Sequence, residues 1–245
     1  MSSLSLRQRY TSAVVDAFGG PPSAPQLLPL ALVQACVAVL PIDGAGLSVT
    51  QTLRVPLSAS NPAVAEAERL QTTLGEGPCL TAASAGAPVV ADHATMAERW
   101  PLYHSLMLTK TPFRSVASLP LRSLGQALGF AALDLYSIDP DAAAFADIAE
   151  IRVAVADEAA AALLATPEGM HSMGVALPLW LINDLSDNRM NVWIAVGMIC
   201  ERASLTDADS LAVLRAYAYS NDLTLDEVAT RMVTGTLRAR DVLHH

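Results

Sequence analysis

The strongest constraint on this chain is a change of apolar rhythm near residue 170. Before it, short strand-like runs such as "GAGLSVT" (44–50) alternate with helical stretches. After "TPEGMHSMG" (166–174), which carries Pro167, Glu168 and two glycines, the apolar spacing is helical throughout. One layer of structure cannot serve both rhythms, so two domains are expected, with 166–174 as the linker. The 245 residues suffice for both.

In the first part, "LLPLALVQACVAVL" (27–40) reads as an apolar helix ended before Pro41. The runs 44–50 and 53–60 read as two strands, with Pro56 confining the second to a sheet edge or a bulge. "NPAVAEAERLQTTLG" gives a helix, "GEGPCLTAA" a turn and a second short helix, and "APVVADHA" a strand. "SVASLPLRSLGQALGFAALDLYS" (115–137) reads as a hairpin turning at Gly125-Gln126, and the alanine-rich segment 140–165 as one long helix. This order suits an antiparallel sheet flanked by helices, an α/β (α+β) domain.

The second part is expected to be all-α. From Ile182 the spacing Ile182, Leu185, Val192, Val196, Ile199 makes an a/d stripe, with Arg189 in the one missing place. Trp193, Ile194 and Met198 make further sides of that helix apolar. Thr206 with Asp209 opens a second helix, and Thr224 with Glu227 forms a capping box for a third. In the third, Leu225, Val228, Ala229, Met232 and Val233 share one face, and Gly235 is a stop. A helix with that much apolar surface is not covered by two short neighbours, so a homodimer is expected.

The net charge of −9 makes the chain a poor non-specific binder of nucleic acid. No run of about 18 apolar residues suggests a membrane span. The opening "MSSLSLRQRYTSAVVDAFGG" lacks the apolar core of a secretion signal, so a cytoplasmic location is expected. Three dispersed cysteines, Cys36, Cys79 and Cys200, argue against both a disulfide framework and a CxxC zinc site.

No nucleotide-binding, hydrolase or metalloprotease motif is present, and no catalytic residue, metal or cofactor is assigned. Asp92-His93 is a conceivable acid–base pair, but it ends a predicted strand, where neighbours point to opposite faces, and His104 and His171 stand alone, so these read as solvated or satisfied histidines. Cys79 precedes a short helix, but Glu76 is the nearest charge in sequence and acts against a thiolate. It reads as a buried side chain beside a turn shaped by Gly77 and Pro78.

"LGEGPCLTAASAGAPVVADHATMAERWPLY" and "SVASLPLRSLGQALGFAALDLYS" closely resemble the GAF domains of bacterial GAF–ANTAR regulators, over about residues 27–165. "NRMNVWIAVGMICERASLTDADSLAVLRAYAYSNDLTLDEVA" is similar to an ANTAR domain. The family pattern shows in Arg189, Ala195, Gly197, Leu214, Arg215, Ala218, Leu225, Val228 and Ala229. The resemblance implies a segment 1–26, a GAF sensor over 27–165, a linker over 166–174 and a three-helix ANTAR module over 175–240. It further implies a transcription antitermination regulator that binds stem-loops in nascent RNA. Two departures stand out. Val196 occupies a position where many ANTAR domains carry lysine. Leu80 follows Cys79 where bilin-binding GAF domains place histidine, so no tetrapyrrole is expected.

On that reading Arg215 and Tyr219, four apart and off the Leu211/Leu214/Ala218 stripe, supply a phosphate contact and a stacking surface for single-stranded RNA. Ala195 and Gly197 leave little side chain on one patch of the first helix, allowing close approach by RNA or by a neighbouring helix, and Arg189 and Arg202 add charge. Nothing identifies the GAF ligand: a cyclic nucleotide, another metabolite or no ligand all fit. The alternatives are a sensor or interaction module without RNA binding, and a GAF-fold methionine sulfoxide reductase, which would need cooperating cysteines.

Overall fold

The computed structural model describes residues 4–18, 24–50, 54–124, 130–170, 176–181 and 184–244. Side chains are described for all of these except 170, 176, 177 and 184–189. The expected turn at Gly125-Gln126, His171 and Ile182 lie outside the described residues, as do the side chains of Leu185 and Arg189. The chain divides into two compact units, Met1–Gln71 with Glu76–Ile182, and Asn183–His245 with Thr72–Gly75.

The first unit is built on a five-stranded antiparallel sheet. Its strands are β1 (Gly44–Thr50), β2 (Arg54–Ala59), β3 (Val89–Ala91), β4 (Ser115–Pro120) and β5 (Phe130–Ser137), in the order β2-β1-β5-β4-β3. Pro56 sits on the edge strand β2, beside a register shift in which Leu47 pairs with Ser58 and Ser48 with Pro56. The edge and the bulge together accommodate a residue that cannot donate to the ladder. In the 115–137 hairpin, Ser115 pairs with Ser137 and Pro120 with Ala132.

The two faces of the sheet differ in chemistry. Ala45, Leu47 and Val49 of β1, Ala117 and Leu119 of β4, and Ala131, Leu133 and Leu135 of β5 all join one apolar cluster. That face is covered by α1 (Leu6–Ala17), α2 (Leu28–Val39) and the helical segment that closes the unit. A capping box between Ser5 and Gln8 starts α1, and its Tyr10 is buried with the hydroxyl donating to Leu32 O at 3.3 Å. The N-terminal helix is thus part of this core. Trp180 is fully buried in the same cluster and donates from Nε1 to Leu163 O at 3.0 Å, following a two-stranded ribbon of Glu168–Met170 and Ala176–Pro178.

The opposite face carries Gly44, Gly46, Ser48, Ser118, Asp134 and Tyr136. Over it lie α3 (Pro62–Leu74), α4 (Pro78–Ala85), α5 (His93–Arg99) and α6 (Pro101–Lys110). The last two helices escaped the sequence reading. Asp92 does not end a strand as expected; it caps α5, accepting from Thr95 N at 2.7 Å. The expected single helix over 140–165 is also shorter. Asp139 Oδ1 accepts from Asp141 N at 3.0 Å, an Asx turn, and Ala142 is left-handed (φ 56°). Regular helix begins only with α7 (Ile148–Ile151), then passes through a π-helical turn, Arg152–Ala156, into α8 (Asp157–Leu164).

In the second unit α9 (Asp184–Ala203) packs against α10 (Asp207–Ser220), α11 (Leu225–Val233) and a short fourth helix, α12 (Ala239–Leu243). Thr206 caps α10 and the Thr224–Glu227 capping box opens α11. Val192, Val196 and Ile199 of the a/d stripe are buried within the chain, so these stripe positions are core and not a free seam. Leu225, Val228, Ala229 and Met232 are buried, but Val233 is exposed, which narrows the expected core face by one residue. Gly235 ends α11 in the left-handed region (φ 77°).

Candidate functional site

The polar face of the sheet in the first unit holds a buried ionic cluster centred on Arg54. The first residue of β2 is an arginine with 1% of its surface exposed, opposite Thr50 of β1. Its Nη1 donates to the backbone carbonyl of Glu68 at 2.9 Å, its Nε to Cys79 Sγ at 3.2 Å and its Nη2 to Asp134 Oδ2 at 2.8 Å. Nη2 also pairs with Glu68 Oε2. The planar guanidinium fork lets one side chain hold a helix, a strand and a helix start together.

Neighbouring side chains extend the network. Tyr136 Oη donates to Glu68 Oε1 at 2.6 Å. Gln71 Nε2 donates to Asp134 Oδ2 and to Tyr136 Oη, each at 3.2 Å, while Gln71 Oε1 accepts from Cys79 N at 2.9 Å. Glycines make the room. A Cβ at Gly46 would meet Glu68 Oε1 at 2.6 Å, and one at Gly77 (φ 138°) would meet Gln71 Oε1 at 2.6 Å. Gly77 is the residue before Pro78, the first residue of α4, so the turn brings both the Cys79 amide and its thiol to the cluster.

Two carboxylates, Glu68 and Asp134, face one guanidinium in an enclosed layer. Burial pushes Glu68 up to about 7, Asp134 adds to the rise, and Arg54 with the Tyr136 hydroxyl holds it back. Cys79 is likewise pushed up to about 12 by burial, against the pull of Arg54. It is a thiol that accepts a hydrogen bond, not a thiolate, in keeping with a packed side chain. The cation beside it, Arg54, was missed from the sequence because it lies 25 residues away.

Two buried polar atoms of this layer, Asp134 Oδ1 and Ser118 Oγ, have no hydrogen-bond partner among the described residues, and Tyr103 Oη lies beside the Tyr136 hydroxyl. Ser118 and Asp134 are cross-strand partners in the β4–β5 register, and Tyr103 comes from α6. At the surface of the same unit His104, expected to stand alone, lies beside His93: Nε2 is 3.2 Å from His93 Nδ1, with the rings edge to face. Burial, His93 and Arg114 together lower the His104 pKa.

The residues expected to contact RNA all belong to the second unit. Tyr219 is exposed (46%) and Arg202 is exposed, while Arg215 is half-buried. Ala195 and Gly197 do not form one patch. Two residues apart on a helix they face different ways, and Ala195 is fully buried where Gly197 is exposed with open space at its Cβ position. Ala195 therefore serves helix packing. The side chain of Arg189 lies outside the described residues. On α9, Met190, Trp193 and Ile194 are exposed apolar residues on one face, continued by Gly197. A shallow open hollow of about 420 Å³, lined by Met198, Glu201, Arg202 and Ala239, lies beside Arg202.

No helix among the described residues is long and apolar enough to cross a membrane, and no group of three or more metal-ligating side chains occurs among them. No protein-family model matches the chain, and comparison with curated proteins gives no significant match.

Proposed function

We propose that this chain is a signal-responsive, RNA-binding regulator of transcription elongation, in which a GAF-like sensor unit governs an ANTAR-like helical unit that binds stem-loops in nascent RNA. The antiparallel sheet with helices on both faces is compatible with the first part of that reading. The observation that carries the second is Tyr219, a large aromatic side chain left exposed one turn beyond Arg215 on a helix whose Leu211, Leu214 and Ala218 are buried. An aromatic face one turn from an arginine suits unstacked bases in an RNA loop. The exposed Met190, Trp193 and Ile194 support pairing with a second copy of the chain, which would present two RNA-binding faces in one cytoplasmic particle.

Residues 167–245 hold six arginines against ten acids, so the RNA face is a local patch. The same balance favours a second reading, an interaction module that binds protein and not RNA. A reductase reading finds little support: Cys36 belongs to the apolar cluster and Cys79 to the polar network, on opposite faces of the sheet. Electrophoretic mobility of transcripts from the protein's own operon, titrated with the full chain, tests the proposal. Retarded stem-loop transcripts support it; unretarded transcripts, with a protein captured by the same surface, favour the second reading.

A further inference from the structure

We infer that the buried polar face of the first unit receives a compact primary ammonium group, free or as the head of a small amine, that donates to Asp134 Oδ1 between Ser118 and Tyr103. The inference deepens the sensing half of the function proposed above and rests on it.

The donors and acceptors decide the class of ligand. Arg54 is committed to Glu68, Cys79 and Asp134, so an anion entering the layer would have to displace a carboxylate already held at 2.8 Å. An anionic nucleotide or carboxylate is therefore disfavoured. What the layer leaves over is an acceptor: one oxygen of Asp134, fully buried, whose other oxygen is held by Arg54 and Gln71. Ser118 Oγ and Tyr103 Oη, both on fully buried residues, add two further hydroxyl oxygens able to accept.

The charge balance points the same way. Among the described residues, the titratable groups facing Glu68 and Asp134 are Arg54 from β2, Cys79 from α4, Tyr103 from α6 and Tyr136 from β5, and of these only Arg54 is cationic. A water molecule would satisfy the orphaned oxygen but not the second negative charge. A proton on Glu68 would satisfy the charge but leave Asp134 Oδ1 without a donor. A primary ammonium group supplies both, and it needs a small volume, which suits a layer where Asp134, Ser118 and Tyr103 are all fully buried. Binding then competes with the proton on Glu68, so affinity rises as that proton leaves.

Thermal unfolding and calorimetric titration of the full chain, with ammonium, methylammonium, tetramethylammonium and sodium chlorides at matched ionic strength and with acetamide as a neutral donor, test this. The expected result is saturable stabilisation by ammonium or methylammonium alone, about tenfold tighter at pH 8 than at pH 6. Asp134→Asn should abolish it and Ser118→Ala should weaken it several-fold. Equal stabilisation by acetamide, no selectivity over tetramethylammonium and sodium, or an unchanged response in Ser118→Ala overturns the inference. If Asp134→Asn does not fold by circular dichroism, the wild-type selectivity and Ser118→Ala decide the matter. RNA retardation by the same preparation is read separately, so loss of one result leaves the other standing.

Discussion

The carboxyl group of Glu68 occupies the space that a side chain at Gly46 would need, with Oε1 2.6 Å and Cδ 2.7 Å from the Cβ position. A strand residue without a side chain is thus what lets a helix carboxylate reach Arg54 and Tyr136. Because both partners hold Glu68 in place, it cannot swing aside freely. Gly46→Ala should therefore destabilise the first unit by about 1–3 kcal/mol, the usual range for overpacking a filled site. Urea unfolding followed by circular dichroism measures this; an unchanged midpoint would mean the cluster is looser than described.

The same carboxyl group links stability to pH. Its folded-state pKa lies near 7, above the ordinary value of 4.5, so the folded state keeps a proton that the unfolded chain has released. The contribution is fully favourable below about 4.5, is lost as pH rises towards 7, and is gone above it. Glu68→Gln, which stays neutral, should flatten the decline of stability between pH 5 and pH 7 relative to the wild type. Parallel pH profiles for the two proteins would contradict the assignment.

Cys79 should be chemically silent in the folded protein. With its thiol pushed up to about 12, roughly one molecule in ten thousand is a thiolate at pH 8, and the side chain has no exposed surface. Iodoacetamide should label Cys200, which is partly exposed, before Cys36 and Cys79, which are buried. Peptide mass spectrometry of native and denatured samples reads the order; rapid native labelling of Cys79 would show an open site.

Much of the architecture is visible in the residues themselves, and the reasons for the exceptions are physical. The hairpin over 115–137 and the edge position of Pro56 follow from alternation and from the missing amide of proline. The capping box at Thr224 marks the start of α11 for the same local reason. The cluster around Arg54 is assembled from four separated segments, so no spacing rule could assemble it. Its faint signal is Asp134, a charge in the middle of the apolar run of β5, with Gly44, Gly46 and Ser48 alternating against Ala45, Leu47 and Val49 in β1. Helix α5 was hidden because "APVVADHA" continues a β-branched run, and only the Asp92–Thr95 cap marks the change.

The apolar face of α9 gives a prediction for assembly. Trp193 is exposed in the single chain, and neighbouring Met190 and Ile194 are exposed with it. Trp193→Asp should convert a dimer to a monomer in sedimentation at micromolar concentration while changing unfolding stability by only about half a kcal/mol, as at other surface sites. A wild-type protein already monomeric under those conditions would contradict the assignment of this face to a second copy.

The central claim is that the helical unit reads RNA through an aromatic patch within an acidic surface. Its most direct test is the affinity of the whole chain for a cognate stem-loop transcript, measured by fluorescence anisotropy for the wild type, Tyr219→Ala and Arg202→Ala, with circular dichroism as the fold control. The account predicts wild-type binding with a shallow salt dependence, since few cations release counterions. It predicts a loss of about 1–3 kcal/mol, roughly 5- to 150-fold, for Tyr219→Ala from one missing stacking partner, and a smaller loss for Arg202→Ala. Folded variants that bind the transcript as tightly as the wild type, or a wild-type protein that does not bind it at all, would contradict the account.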